Sequence, residues 1–188
     1  MELEAAITGR RSVRKYKKDP IEPEVLKKVM DLAQCAPSAM NRRDYRFVVV
    51  QGQKKEELLK ITSQAFLALK PSLEKLFSGK LIMIEITKTF FETYGGAPVI
   101  VLAYGGKFPD GREDLQSISL AVENLFLAAY EVGLGTVWTD GPVAVAEKEI
   151  NALSGVDNRK LVSIIPLGYP DESPKAPPRG EDRVIWLA

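Results

Sequence analysis

The chain predicts one domain in which helices layer a β-sheet, an α+β or α/β arrangement. Three observations predict it. Strongly apolar runs of strand composition recur, at Phe47-Val48-Val49-Val50, at Ala97 to Tyr104 and at Leu161 to Leu167. Between them lie stretches with the three- and four-residue apolar spacing of helices. The length, 188 residues, suits one substantial core and is short for two, so the domain is read as residues 1–188. No repeat or low-complexity segment interrupts the alternation.

In chain order, Leu3-Glu4-Ala5-Ala6-Ile7 is a short apolar-patterned opening. Residues 22–36 read as a helix, with Pro23 near its start and Pro37 beyond its end. Val25, Leu26, Val29, Met30, Leu32 and Ala33 form its apolar face. Arg46 to Gln51 is a strand, and residues 54–69 resume helical spacing through Leu58, Leu59, Ile61, Ala65 and Phe66. From Pro71 to Tyr94 the signals conflict: Leu81-Ile82-Met83-Ile84 has strand composition, but the flanking apolar residues suit helices, and helices are assigned. Gly95-Gly96 introduces the strand Ala97 to Tyr104. Glu113 to Val132 reads as a long helix whose apolar surface is wide enough for burial on several sides, by a second subunit among others. It stops at Gly133-Leu134-Gly135, a C-cap signal. A short strand Thr136-Val137-Trp138, a helix Ala146 to Leu153 and the strand Leu161 to Leu167 follow. Gly168-Tyr169-Pro170 then leads through a Pro-rich arm, Pro174 to Gly180, to a last strand, Arg183 to Leu187. That strand would pair with its own sheet or a partner's.

Composition removes several function classes. The 26 basic residues are balanced by 25 acidic ones, for a net charge of +1, so no nucleic-acid partner is expected and any anion site must be local. No apolar run approaches membrane-spanning length and Met1-Glu2-Leu3-Glu4 does not resemble a signal peptide, so a cytoplasmic protein with no membrane contact is expected. Histidine is absent, which excludes Ser-His-Asp and Cys-His catalysis and any His-ligated metal. The single cysteine, Cys35, forms no intramolecular disulfide, and a small buried hydrophobe is its expected role. Such a chain, if an enzyme, needs a cofactor for the hard chemistry.

The segment Arg10-Arg11-Ser12-Val13-Arg14-Lys15-Tyr16 is the best candidate for holding one. Guanidinium forks beside a hydroxyl suit a phosphate, because arginine offers planar paired donors and serine a short third one. The plainer reading is a solvated basic patch near a terminus.

These landmarks together resemble the FMN-dependent nitroreductase family. Its hallmarks appear here in order as Arg10-Arg11-Ser12-Val13-Arg14, Ala36-Pro37-Ser38-Ala39-Met40-Asn41, Phe47-Val48-Val49-Val50, an apolar helix ending in Gly133-Leu134-Gly135, and Gly168-Tyr169-Pro170 after a strand. Each motif alone is weak; the ordered set over nearly the whole chain is specific.

The resemblance implies an α+β fold, an α/β/α sandwich with a mostly antiparallel sheet, in an interlocked homodimer with one FMN at each end of the interface. By the same resemblance Arg10, Ser12 and Arg14, with Arg11 beside them, would hold the ribityl phosphate and the pyrimidine side of the flavin. Arg179 would be a second phosphate ligand. Pro37, Ser38 and Asn41 would reach the flavin from the partner subunit. Asp140 and Gly141 would present backbone N–H groups to flavin N5 and O4. The flavin itself would carry the chemistry, with no catalytic side chain and no metal.

One departure stands out. Where many family members read Asn-x-Gln-Pro-Trp, this chain reads Asn41-Arg42-Arg43-Asp44-Tyr45. Arg43 then either pairs with Asp44 as a surface ion pair or adds positive charge that favours an anionic substrate or a nicotinamide-nucleotide phosphate. Tyr94 and Trp138 are the aromatic pocket candidates, with core packing the plainer role for each.

The leading expectation is an FMN oxidoreductase in which NADH or NADPH reduces the flavin and leaves before a small electron-poor acceptor, a nitro compound or quinone, takes its place. The alternative is a flavin- or nucleotide-binding protein without turnover. An anion- or nucleic-acid-binding module built on Arg10 through Lys18 is disfavoured by the charge balance.

Overall fold

A computed structural model describes residues 2–178 and 183–187. Its elements are α1 (Leu3–Gly9), α2 (Pro23–Ala33), a short 3-10 turn (Ala39–Asn41), β1 (Arg46–Val50), α3 (Gly52–Phe77) and α4 (Leu81–Thr93). A second 3-10 turn (Tyr94–Gly96) precedes β2 (Val99–Lys107), β3 (Glu113–Asp114), α5 (Leu115–Glu131), β4 (Gly135–Thr136), α6 (Val143–Ser154) and β5 (Lys160–Gly168).

The sheet runs β1-β2-β5-β4, with β3 paired to β2, and every pairing between these strands is antiparallel. Strand β2 explains the layering. Its residues Val99 to Tyr104 are all fully buried, and side chains alternate across a strand. Val99, Val101 and Ala103 therefore face α2 and α5, with Ile118, Ala121, Val122 and Leu125 packed against them. Ile100, Leu102 and Tyr104 face the other way, onto Leu58 and Ala65 of α3 and Ile150 of α6. Helices thus cover both faces, and burial on both faces is why this strand reads as an unbroken apolar run. The α+β sandwich with an antiparallel sheet is the observed fold.

Several elements differ from the sequence reading. Helix α3 runs through Pro71 to Phe77, because Pro71 is exposed and its missing amide costs one bond at a solvent-facing turn. Leu81 to Ile84 is helical, as assigned; Ile84 and Phe91, seven residues apart, bury against Phe66 of α3. The short strand is Gly135–Thr136 rather than 136–138. Helix α2 ends at Ala33, so Cys35 falls in the following turn and is exposed, not the buried hydrophobe expected. Its Sγ donates to the Asp31 carbonyl at 3.5 Å. Residues 183–187 form no strand within the chain, and Ile185, Trp186 and Leu187 are 85%, 86% and 94% exposed. Among the described residues no helix is long and apolar enough to cross a membrane.

Candidate functional site

The arginine segment is seated by the hydrophobic residues threaded through it. Val13 and Tyr16 are buried, which turns the backbone between them into a rail. Val13 N–H donates to the Thr136 carbonyl (2.9 Å), Tyr16 N–H to Gly95 (2.9 Å) and Lys17 N–H to Tyr169 (2.9 Å). The Tyr16 hydroxyl donates to the Val13 carbonyl at 2.5 Å, and burial holds it well above the usual tyrosine range. The Gly-Leu-Gly motif acquires a physical reason here. A Cβ at Gly135 would stand 2.8 Å from the Val13 side chain, so only glycine lets the segment lie against β4. Gly95, at φ +62°, passes so close to the Arg14 carbonyl that a Cβ would collide with it at 2.0 Å.

Polar groups of the segment are left available. The Arg10 guanidinium lies 5.5 Å from the Phe126 ring centroid and 3.7 Å from Glu123, but its buried Nε has no hydrogen-bond partner. Among the described residues, neither the Ser12 hydroxyl nor the Arg14 guanidinium has a hydrogen-bond or ion-pair partner. Arg11 is turned away: it donates to the Thr8 carbonyl (2.8 Å) and to its neighbour Arg10 (2.6 Å), closing the end of α1. Arg10, Arg11, Ser12 and Arg14 line a cleft of about 420 Å³ whose other wall is the Pro-rich arm, Pro174 to Pro178. That arm is tethered beside the segment by Glu172, whose carboxylate accepts from the Arg14 amide at 2.5 Å, and by Asp171, paired with Lys15 at 3.2 Å. Sequence reasoning missed Glu172; its only signal was its place just after Gly-Tyr-Pro. Arg179 lies outside the described residues.

From Thr136, which bridges to Ser12, the chain reaches Asp140 and Gly141 at the head of α6. Among the described residues neither amide has an acceptor. Gly141 is packed beneath α4 and α3: a Cβ there would meet Phe91 at 3.0 Å and Leu69 at 3.7 Å. Trp138 is half-buried against the core with Nε1 3.4 Å from Asp140, and Tyr94 is wholly buried. Tyr94 is thus a core residue, the plainer of its two readings.

Pro37, Ser38 and Asn41 sit elsewhere. Asp114 caps α5, accepting from Ser117 N–H (3.1 Å) and Ser117 Oγ (2.7 Å), and that same Oγ accepts from the Ala39 amide at 3.1 Å. The Ser38–Asn41 turn is thus pinned to the start of α5. Arg10 sits against Glu123 and Phe126, so the two are separated by about 9–14 Å of helix rise. One chain does not bring these groups together. The turn is strained: Met40, Asn41 and Arg43 all have φ near +50°, a left-handed backbone costing on the order of 1 kcal/mol for a non-glycine residue.

Asp44 does not pair with Arg43. Its carboxylate takes Arg159 (2.6 Å), Arg42 (3.1 Å) and the Lys107 amide (3.0 Å), and the Arg159 hydrogen bond foremost holds its pKa below the usual range. The Arg43 amide instead donates to Ser38 Oγ (2.8 Å) and its Nε to Asn41 Oδ1 (3.3 Å).

The residues fit a phosphate-bearing flavin such as FMN. Unfilled cationic and hydroxyl donors lie at one end, and two fixed, unfilled amides at the other would suit a ring carbonyl and nitrogen.

The fold and this arrangement define a class, antiparallel sandwiches that carry an N-terminal arginine segment with unfilled donors beside the sheet. The model of the nitroreductase family matches residues 7–169, and the chain belongs to that family. YfhC of Bacillus subtilis, provisionally named an NAD(P)H nitroreductase, is 31% identical over 94% of this chain and 89% of its own length. Iodotyrosine deiodinase of Thermotoga neapolitana is 32% identical over 92% of this chain and 90% of its own. Among solved structures, the FMN and NADPH-dependent nitroreductase NfnB from Sphigopyxis sp. strain HMH superposes with a TM-score of 0.83 at 18% identity, covering both chains completely. Oxidized iodotyrosine deiodinase bound to FMN and 3-iodo-L-tyrosine gives 0.73 at 28%, also with full coverage of both.

Proposed function

We propose that the chain is an FMN-dependent oxidoreductase that uses NADH or NADPH to reduce a small electron-poor acceptor. The observation that carries this reading is the arginine cleft: Arg10, Ser12 and Arg14 offer unfilled donors to a phosphate while the Asp140 and Gly141 amides stand unfilled nearby. FMN, when bound, supplies the two-electron chemistry that a chain without histidine and with one exposed cysteine does not. Arg10 and Arg14 neutralise the phosphate, and Ser12 donates the third hydrogen bond. The two amides would offer the ring edge donors that do not titrate as its charge changes, and Leu69 and Phe91 pack against Gly141 beside them.

Reductant and acceptor would use one site in turn, each exchanging electrons with the same flavin. We further propose a homodimer, supported by the separation of the Ser38–Asn41 turn from the arginine segment and by the apolar groove that Leu3, Leu32, Leu127 and Ala128 form along α5. Pro37, Ser38 and Asn41 would complete the partner's flavin site, and Arg179 would add a phosphate contact. Nitro compounds and quinones are the acceptor classes this chemistry suits. Halogenated phenols join them on the strength of the deiodinase relatives.

The test is a visible spectrum of the purified protein before and after adding FMN, followed by anaerobic NADH and NADPH. About one FMN per chain, bleached by either nucleotide and restored by an acceptor, is the expected result. A bound flavin inert to both nucleotides would instead favour binding without turnover. A colourless protein that took up no FMN would remove the oxidoreductase reading.

A further inference from the structure

We propose that Arg43 is a specificity residue that draws an anionic group, a phosphate monoester or a carboxylate, on the molecule exchanging electrons at this site. The proposal rests on the oxidoreductase reading above.

The cations around the Ser38–Asp44 loop are not equivalent. Arg159 and Arg42 share the Asp44 carboxylate, and Arg112 pairs with Asp110 at 2.8 Å. Arg42 and Arg112 also stack on Phe108, with guanidinium carbons 5.1 and 5.0 Å from its centroid. Among the described residues, Arg43 has no carboxylate partner. Its amide and Nε are held by Ser38 and Asn41, while its terminal nitrogens have no partner among the described residues, and its side chain is exposed. Those terminal nitrogens form the fork that matches a phosphate or carboxylate edge to edge.

Position gives the fork its role. Ser38 and Asn41 are the residues proposed to reach the flavin, and they are the ones that fix Arg43. In the proposed dimer a guanidinium carried on that turn would lie beside the molecule that enters over the ring. The backbone there is expensive for arginine, at φ +51°, yet it is clamped from both sides, by Asp44, whose carboxylate accepts from the Lys107 amide of β2, and by Ser117 of α5. A merely solubilising arginine has no need of so fixed a base.

The holoenzyme of the wild type, Arg43→Gln and Arg43→Lys tests this with two matched pairs. NADPH and NADH, differing by one phosphate, are compared in anaerobic reduction of the bound flavin. 4-Nitrobenzoate and 4-nitrobenzamide, differing by one charge, are compared in KM and kcat. Arg43→Gln is expected to raise the half-saturating concentration of the charged member of one pair by about tenfold to a hundredfold, the scale of one or two charge-assisted hydrogen bonds. The uncharged member, kcat and FMN affinity should stay within about twofold, and Arg43→Lys should recover part of the loss. A shift in the nucleotide pair identifies the phosphate of the reductant; a shift in the acceptor pair identifies a carboxylate. Equal effects on both members of each pair, or a tenfold loss of FMN affinity by fluorescence titration, would overturn the assignment. A wild type that bound no FMN would remove the parent reading too, whereas one that bound FMN but ignored charge would remove only this one.

Discussion

The arginine segment and the C-terminal tail make an instructive contrast. Both are short, irregular stretches that mix apolar and basic residues. In the first, Val13 and Tyr16 are 6% and 4% exposed and Gly135 and Gly95 are cut away to admit them, so a single chain builds the seat completely. In the second, Ile185, Trp186 and Leu187 have strand composition but no seat, and lie almost wholly in solvent. Meanwhile, among the described residues, β1 ends the sheet with an unpaired outer edge and a half-open Val49. A segment that carries its own anchors folds locally; one whose anchors find no groove among the described residues stays exposed, and in the proposed dimer a second copy would cover it.

The largest expected effect breaks that contrast at the tail. Removing residues 183–188 should convert the proposed dimer to monomer in analytical ultracentrifugation. Reburying three large apolar side chains is worth about 1.5–3 kcal/mol each, so the dissociation constant should rise at least a thousandfold. An unchanged sedimentation coefficient at micromolar concentration would show that the tail lies outside the interface.

Next comes Arg10→Ala, which attacks the seated segment through its ligand rather than its packing. Loss of charge-assisted bonds worth about 1.5–3 kcal/mol each should weaken FMN binding by tenfold to several hundredfold. Val13 and Tyr16 remain in place, so the melting temperature of the flavin-free protein should move by only a few degrees. Ser12→Ala should act in the same direction and more weakly. Full flavin retention on dilution of the Arg10 variant would mean that the phosphate sits elsewhere.

What the sequence disclosed follows the same division. The sandwich was legible because β2, buried on both faces, has to be apolar at every position, and because helices α2, α3 and α5 each show a one-sided or wide apolar surface. The arginine segment was legible as a candidate anion site, and the motifs around it as punctuation. What was not legible was why the punctuation sits where it does. That Gly135 exists to let Val13 approach depends on a contact between residues 122 positions apart, which no local pattern encodes. The partner of Asp44 failed for the same reason. Its neighbour Arg43 was the local choice, but Arg159, distant in sequence, arrives on the loop before β5 and takes the carboxylate. Cys35 was misplaced by a helix end two or three residues early, a small error that moves a side chain from core to solvent.

Gly95→Ala sharpens the contrast by spoiling the seat without touching a ligand. The added Cβ would meet the Arg14 carbonyl at 2.0 Å and force alanine into a left-handed conformation. A cost of about 2–4 kcal/mol in urea unfolding is expected, from overpacking and backbone strain together. FMN affinity should fall with it, because Arg14 is displaced. Wild-type stability with wild-type FMN affinity would show that the seat tolerates movement and is not what positions the arginines.

The smallest effect belongs to Asp44, which holds the other half of the proposed site. Its pKa is depressed, by the Arg159 hydrogen bond first and by the Lys107 amide and Arg42 beyond that. A depressed carboxyl contributes stability that is fully present above the unfolded value of about 3.9 and is lost as pH falls through the lower folded value. Asp44→Asn should therefore lower stability by about 1–2 kcal/mol at pH 7, discounted for partial exposure. It should also flatten the part of the acid limb that lies below about pH 4. The tail deletion acts on assembly and should leave that limb's shape unchanged. The loop should report the loss locally: amide exchange at Ser38 to Arg43 should quicken in Asp44→Asn while the β2 and β5 amides stay protected. Uniform quickening across the sheet would mean that Asp44 supports the whole domain, and that the two halves of the site are less independent than their separation along α5 implies.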